Sequence, residues 1–372
     1  MHCPLRGARG ILWVLALLSF CLAMGHPFSF ASKMEGETRA TLKSQENGWK
    51  GPVPLKGGDH ILVSGPRGEV GQRSAHSPLE KKVSKGEELL RKRIGSGADE
   101  IGCERPHEGN QEGPMSFAIG EDGTIYVLDQ VNERVQVFRD NVLIRTIGLP
   151  SRVAGDLEVT HESKILLLDN LKEKALFVLD GRNGKLLSRI ALEGPNIPYG
   201  PSVLAIYFRK EGELAGVWAE VEGRSVRLAM ADGSAPPRRV SVPGLLSAKA
   251  KRLISASILG DMTVEVNLSK ERFSEVSSYT VRFDLPVVHI LALHMDQDES
   301  AYVAVHLEEG KKAKNVIVKL DREGKECGRM ELPLQRMEDE VQHPIKMDSK
   351  GNIYQMLVEK THVVILKHGF QR

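Results

Sequence analysis

Residues 121–138, EDGTIYVLDQVNERVQVF, hold two short apolar runs, IYVLD and VQVF, joined by the polar link QVNER. Short runs rich in Val, Ile, Leu, Tyr and Phe, bounded by Gly, Asp and Asn, read as strands. An amphipathic helix would need 3.6-residue periodicity over about ten residues or more. Asp122-Gly123 supplies the turn before the first run, because Gly accepts positive φ and Asp bonds the local backbone. Asp129 closes that run. Its carboxylate is suited to accept N–H groups of the following turn, with Asn132 in the turn and Arg134 as an ionic partner. Such turn carboxylates ordinarily hold backbone rather than perform chemistry.

The construction recurs, degenerately, to the C-terminus. Strand-like runs group as SFAIG, TIYVLD, VQVFR and VLIRTIG in 116–148, and as GDLEVT, KILLLD, ALFVLD and LLSRIAL in 155–192. A third group is SVLAIYF, LAGVWAEV, SVRLAM and RRVSVPG in 202–244. The fourth, RLISASIL, MTVEVNL and SSYTVRFD in 252–284, does not separate its third and fourth strands. VHILALHMD, AYVAVHLE, NVIVKLD and CGRMELP (288–333) make the fifth, and PIKMD, NIYQMLVE and HVVILKH (344–368) the sixth. With Ile125, Ile165, Leu214, Met262, Ala301 and Ile353 as second-strand starts, the steps are 40, 49, 48, 39 and 52 residues. A period near 40–50 with about four strands per unit is the mark of propeller blades. The sequence therefore predicts an all-β fold, a six-bladed β-propeller of four-stranded antiparallel blades.

The sixth unit is one strand short. LRKRIG (90–95) lies just before the first blade and matches LIRTIG (143–148), the fourth strand of that blade. Residues 89–95 are therefore expected to be the outermost strand of the sixth blade, a non-local pairing that closes the ring and removes loose edges.

Gly113-Pro114, Asp122-Gly123, IYVLD, Asn132, Arg134, Val135, Val137 and Phe138 make the first unit resemble an NHL repeat, the unit of a six-bladed propeller. The likeness is partial in the sixth unit (Asp348, Gly351-Asn352-Ile353-Tyr354). It is weaker in the fifth (Asp296, Tyr302, Asp321, Gly324) and second (Asp169, Asn170, Asp180, Gly184), and blades three and four follow by period alone. The resemblance implies a fold over about 280 residues and leaves function to the site. Relatives of the fold include metal-dependent lactonases and an amidating lyase, which gather Glu, Asn, Asp or His around an axial cation. The inner-strand runs here offer Glu158, His289, His294 and Lys346, with no ligand type repeated at one register. His289 and His294 are five residues apart and face opposite sides of an extended strand. No nucleophile elbow, zinc-protease helix or phosphate-binding loop is present. No catalytic residue, cofactor or metal is therefore expected. A hydrolase or lyase with a degenerate axial metal site is the alternative.

The N-terminus has a separate character. Arg6 and Arg9 precede the 14-residue apolar run ILWVLALLSFCLAM (11–24), followed by Ala23-Met24-Gly25 or Ser29-Phe30-Ala31. That is the plan of a cleaved signal peptide over 1–31, and the run is short of the roughly 20 residues that span a bilayer. No later segment is long and apolar enough to cross a membrane. Residues 32–85, rich in Gly, Ser, Pro, Lys and Glu, are expected to be a disordered leader, and 86–372 the propeller. The expected location is secreted, periplasmic or cell-surface. The formal net charge of +2 falls near zero once Arg6 and Arg9 leave, which gives no footing for nucleic acid. Of four cysteines, Cys103 and Cys327 remain after cleavage. They are a candidate disulfide in an oxidising compartment, although alternating strand direction puts them near opposite faces of the disk. Asn267-Leu268-Ser269 is a glycosylation sequon, meaningful only in a eukaryotic secretory host. The function expected is an exported, non-catalytic binding or scaffold module. Its unknown protein, peptide or glycan partner would meet the loops 96–114, 193–201 and 334–343.

Overall fold

Apolar runs that do not alternate belong to sheets buried on both faces, and the computed structural model shows how this chain buries them. It describes residues 84–108, 111–270, 275–335 and 339–370. The expected signal peptide and all but the last two residues of the expected leader lie outside the described residues. Six four-stranded antiparallel sheets follow one another along the chain.

Blade 1 comprises Ser116–Ile119, Ile125–Asp129, Arg134–Arg139 and Val142–Gly148, from the inner strand to the outer. Blade 2 comprises Asp156–Val159, Lys164–Asp169, Ala175–Asp180 and Leu186–Ala191, and blade 3 Val203–Arg209, Gly216–Val221, Arg224–Met230 and Ser241–Pro243. Blade 5 is Val287–Met295, Ala301–Glu309, Lys312–Leu320 and Glu326–Leu332.

Blade 4 corrects the sequence reading. Its inner strand is only Leu245–Leu246, followed by Leu253–Ile258, Thr263–Ser269 and Val276–Arg282. Met262 therefore precedes the third strand, not the second. A two-residue strand carries no periodicity, so its signal merged with the end of blade 3.

Blade 6 is Ile345–Met347, Ile353–Val358 and His362–His368, completed on its outer edge by Glu87–Arg93. The closing strand runs antiparallel to His362–His368, with Leu90 opposite Ile365 and Arg93 opposite His362. It ends two residues earlier than expected because the chain turns at once. The Gly95 amide donates to Ile101 O (3.0 Å) and the Ile101 amide to Arg93 O (2.9 Å).

The core is a set of layers between neighbouring blades. In Ile125–Asp129 the side chains divide by parity. Ile125 and Val127 pack with Leu90, Met356, Val363 and Ile365 of blade 6, while Tyr126 and Leu128 pack with Leu157, Ile165 and Leu167 of blade 2. Both faces of the strand are thus dry, and all five residues are buried. Equivalent layers join blades 2 and 3, 3 and 4 around Trp218, 4 and 5, and 5 and 6 around Tyr302.

A carboxylate stitches the first hairpin of the last two blades. Asp296 accepts from Tyr302 Oη (2.8 Å) and Asp348 from Tyr354 Oη (3.0 Å), a separation of six residues in both. In blade 1 the position six before Tyr126 is Gly120. A Cβ there would stand 2.9 Å from Asp122 Oδ1, so Asp122 has taken over the space. Asp122 Oδ1 accepts the Thr124 amide (3.1 Å), and Gly123 adopts φ 81°. Among the described residues no helix is long and apolar enough to cross a membrane.

Candidate functional site

Inner strands of different blades converge on one carboxylate. Asp156 opens the inner strand of blade 2 and is fully buried. Its Oδ1 accepts from Ser116 Oγ of blade 1 (2.7 Å), from the Leu157 amide (2.8 Å) and from Lys346 Nζ of blade 6 (2.9 Å). Its Oδ2 accepts the Ile206 amide of blade 3 (2.8 Å), and His343 Nε2 lies 3.7 Å away. An ionised carboxylate offers about four acceptor positions, so Asp156 has none to spare.

Burial opposes its charge, but His343, Lys346 and the Ile206 and Ser116 donors outweigh burial and hold the carboxyl below its ordinary range. Burial also opposes the Lys346 charge, and Asp156 and Glu158 more than compensate, raising the ammonium above its usual value. Both partners are driven toward their charged forms, as in an ion pair whose attraction exceeds its desolvation cost.

Glu158 stands two residues along the same strand. Burial pushes its carboxyl up, with Lys346 pulling against it, and its Oε1 accepts the Val159 amide (2.9 Å). Arg209, at the end of the blade 3 inner strand, donates from Nε and Nη2 to Leu246 O (2.9 and 2.6 Å) and lies 4.4 Å over the Tyr207 ring. His294 is buried, and burial together with Arg209 lowers its imidazole to about 3.

The arrangement joins blades 1, 2, 3 and 6 through a single anion. A catalytic cation site needs convergent ligands with lone pairs to give. This centre sets Asp156, taken up by its donors, and Glu158 against two cations, Lys346 and Arg209. Among the described residues no group of three or more His, Cys, Asp or Glu side chains is placed to hold a metal.

Of the inner-strand polar residues visible in the sequence, Glu158 and Lys346 meet here. His294 is buried near Arg209, and His289 stands elsewhere, beside His306 (ring centroids 5.2 Å apart). Asp156, Arg209 and His343 escape sequence reasoning. Asp156 lies in the strand-like run GDLEVT and Arg209 just past SVLAIYF, and neither stands out from its run, while His343 ends the 334–343 connection.

The residues of the opening hairpin form a second, smaller network. Asp129 is fully buried and accepts the Gly102 amide (2.8 Å), Asn132 Nδ2 (2.9 and 3.1 Å) and Arg134 Nε (2.7 Å). Arg134 Nη2 donates onward to Gly97 O and Glu100 O (both 2.7 Å), and Asn132 Nδ2 to Gly95 O (3.0 Å). The hairpin thus ties down the chain that leaves the closing strand. Replacing Asn132 by Ala will cost about 1–2 kcal/mol, the value of its lost hydrogen bonds. The urea midpoint should fall with an unchanged slope; an unmoved midpoint would show that the turn holds without this amide.

The cysteine pair requires a correction, because no disulfide joins Cys103 and Cys327. Cys103 packs in the layer between blades 6 and 1, whereas Cys327 is exposed in the outer strand of blade 5, its Sγ 3.5 Å from Lys319 O.

The three long connections all run from an outer strand to the next inner strand, so they emerge on one face of the disk. Two of them pair. Gln111–Glu112 runs parallel to Asp339–Glu340, and the Gln342 and His343 amides donate to Met115 O (3.1 and 3.2 Å).

The third connection, 193–201, is held by its own hydrogen bonds and by Asn196 Nδ2, which donates to Arg239 O (3.1 Å). Gly194 and Ile197 exchange amide bonds (2.9 and 3.0 Å), Ile197 is fully buried, and Ser202 Oγ donates to Tyr199 O (2.7 Å). Lys174 pairs with Glu193 (2.8 Å), which also accepts the Gly200 amide (3.1 Å). The loop therefore rests on the 170–174 turn. Tyr199 in this loop is 55% exposed, Leu171 in the turn beneath it 58%, and Leu204, at the start of the blade 3 inner strand, 53%.

No protein-family model matches the chain, and no curated protein matches it. Among solved structures it is similar to virginiamycin B lyase from Staphylococcus aureus, at 12% identity over 69% of this chain and 95% of that one, with a TM-score of 0.40. A gluconolactonase from Xanthomonas campestris is similar at 12% identity over 68% and 85%, TM-score 0.41. BamB from Moraxella catarrhalis is similar at 11% identity over 68% and 86%, TM-score 0.34. Likenesses at this level carry no argument about activity, and the six-bladed architecture rests on the strand pairing of the chain itself.

Proposed function

We propose that this chain is an exported, non-catalytic propeller of the NHL-repeat type that serves as a binding or scaffold module for a protein, peptide or glycan. Its recognition element in this reading is the connection 193–201 together with the 170–174 turn. The carrying observation is the exposure of Tyr199 on the loop and of Leu171 on the turn to which Lys174 and Glu193 tie it. Tyr supplies large contact area at small entropic cost, and a preorganised loop spends little of its binding energy on ordering. The saturated axial carboxylate points the same way, since its lone pairs serve the fold. Export rests on the N-terminal run of 11–24 and its flanks.

The test is capture from the exported fraction of the source cells by the full chain on beads. The Tyr199→Ala/Leu171→Ala variant should retain no more than about a tenth of the captured partner, a loss of roughly 1.4 kcal/mol. Protease or glycosidase treatment of the fraction beforehand separates a polypeptide from a glycan partner. Undiminished capture by the variant would overturn this recognition element. A chelator-sensitive hydrolase or lyase activity in the purified chain would overturn the non-catalytic reading.

A further inference from the structure

The second strand of blade 4 is bare along an edge that the other blades cover. In blades 1, 2, 3 and 5 the inner strand pairs with the second strand to within two residues of its C-terminal end, at Leu128, Leu168, Val221 and Leu307. In blade 6 the Val358 amide, beyond the inner strand, donates to Gln335 Oε1 (3.2 Å). In blade 4 the pairing stops at Ile254, opposite Leu245, and residues 255–258 continue with no strand on that side. The residues that would prolong the inner strand, Ser241–Pro243, lie instead in the outer strand of blade 3, opposite Val226 and Arg224.

Alternation of the ladder decides which backbone groups face this edge. The Leu259 amide donates to Thr263 O (2.8 Å) and the Ser247 amide to Arg252 O (2.9 Å). In the register of the sheet, Ser255 and Ser257 therefore bond to the third strand, and Ile254 bonds to Leu245. Ala256 and Ile258 direct their N–H and C=O groups to the bare edge. Among the described residues, no strand and no side chain bonds to them there.

The rim of the edge is apolar. Ile254 and Ala256 pack toward blade 5, and Ile258 continues their row at the surface, 41% exposed. The Val287 amide donates to Asp261 O (2.6 Å), which sets the 259–262 turn against the start of the blade 5 inner strand. Leu259, Met262 and Val288 are exposed there. Unpaired main chain beside exposed apolar side chains is a combination that folded proteins ordinarily cover.

We propose that an extended segment of a partner polypeptide adds here as the missing half of the blade 4 inner strand. The occupant is a main chain because the edge presents donors and acceptors in alternation, and a peptide in β conformation supplies the complementary set at the same spacing. Sugar hydroxyls and lipid tails do not repeat that pattern. Every second side chain of the segment falls beside Ala256 and Ile258, and the small Ala256 leaves room for a large apolar one opposite it. The segment therefore alternates apolar and polar residues over about four to six positions. The site lies apart from the Tyr199 connection and stands whether or not that connection binds.

The test begins with a random dodecapeptide library displayed on phage and selected on the full chain. The strongest binder is synthesised with a fluorescent label. Its sequence is expected to alternate, and when bound it should slow hydrogen exchange at the Ala256 and Ile258 amides by at least about tenfold. The Ser255 and Ser257 amides, already in the ladder, should keep their rates. N-methylation of the peptide amides of one parity should abolish binding, and of the other parity should leave it intact. Both arms use the unaltered chain. Ile258→Pro removes an edge donor and no ladder bond, so it should weaken binding by about tenfold or more, and its urea midpoint shows whether it folds. The Tyr199→Ala/Leu171→Ala variant should bind the peptide as the parent does, which separates this site from the 193–201 connection. No selected peptide, equal losses from the two N-methyl sets, or binding with Ala256 and Ile258 exchange unchanged would each overturn the site.

Discussion

A chain lacking residues 84–95 will not show the single cooperative unfolding transition of the full chain. Those residues are the outer strand of blade 6, although they come before blade 1 in sequence. Leu90 is fully buried against Ile365, Val363 and Phe138. Lys92 is 7% exposed, pairs with Asp99 (2.7 Å) and lies 5.1 Å from the centre of the Phe138 ring. Arg91 bridges to Glu359 (2.9 Å) across the same sheet.

The strand thus holds the last blade to the first. Losing Leu90 alone to Ala costs about 2–5 kcal/mol. That is already a large part of the roughly 5–15 kcal/mol that holds an ordinary domain. Losing the whole strand also bares the backbone edge and apolar face of His362–His368, which invites association with other chains. Guanidinium unfolding and size-exclusion chromatography of the truncated chain check this. Leu90→Asp should behave like the truncation, and Glu87→Ala, at an exposed position, should stay within about 0.5 kcal/mol of the parent. A truncated chain that unfolds at the parental midpoint would show that the ring closes without this strand.

Asp156→Ala is expected to destabilise the fold by about 3–5 kcal/mol, the cost of removing one member of a buried ion pair. It leaves Lys346 without its carboxylate, and it leaves the Ile206 and Leu157 amides and the Ser116 hydroxyl without their acceptor. The double change Asp156→Leu/Lys346→Met should recover much of that loss, because it removes charge and counter-charge together. The pair also sets a pH profile. The Asp156 carboxyl is depressed in the folded state, so its contribution is complete above the unfolded value of about 3.9. It is lost as pH falls through the lower folded value. The Lys346 ammonium is raised, so its contribution is complete below about 10.4 and is lost as pH rises through the higher folded value. Melting temperature against pH should therefore show a plateau bounded on both sides for the parent, with both edges blunted in the double variant. A parallel profile for the two proteins would mean that the ion pair adds nothing net.

The parts of the fold legible in the sequence are those written in local pattern. Turn residues at Asp122-Gly123, apolar runs too short for helices, and recurrence near 40–50 residues specify the blades. Even the ring closure was readable, because LRKRIG repeats the pattern of LIRTIG and does the same job in a neighbouring sheet. Blade 4 was not, because two residues, Leu245–Leu246, have no period. The axial clasp was half legible. Glu158 and Lys346 break apolar inner strands and so announce themselves, whereas nothing local marks Asp156, at the start of the GDLEVT run, as the point where donors from other blades meet.

The sequence by itself determined strand content, blade period and the need for a borrowed strand, since these follow from alternation and turn chemistry between near neighbours. Only the tertiary structure decided that Asp156 draws donors from blades 1, 3 and 6. It also decided that Tyr199 stands out on an ordered loop. Asp156 and Lys346 are 190 residues apart in the chain. Their attraction exists only once ring closure has removed both from water, and no local pattern records a contact that depends on that exclusion.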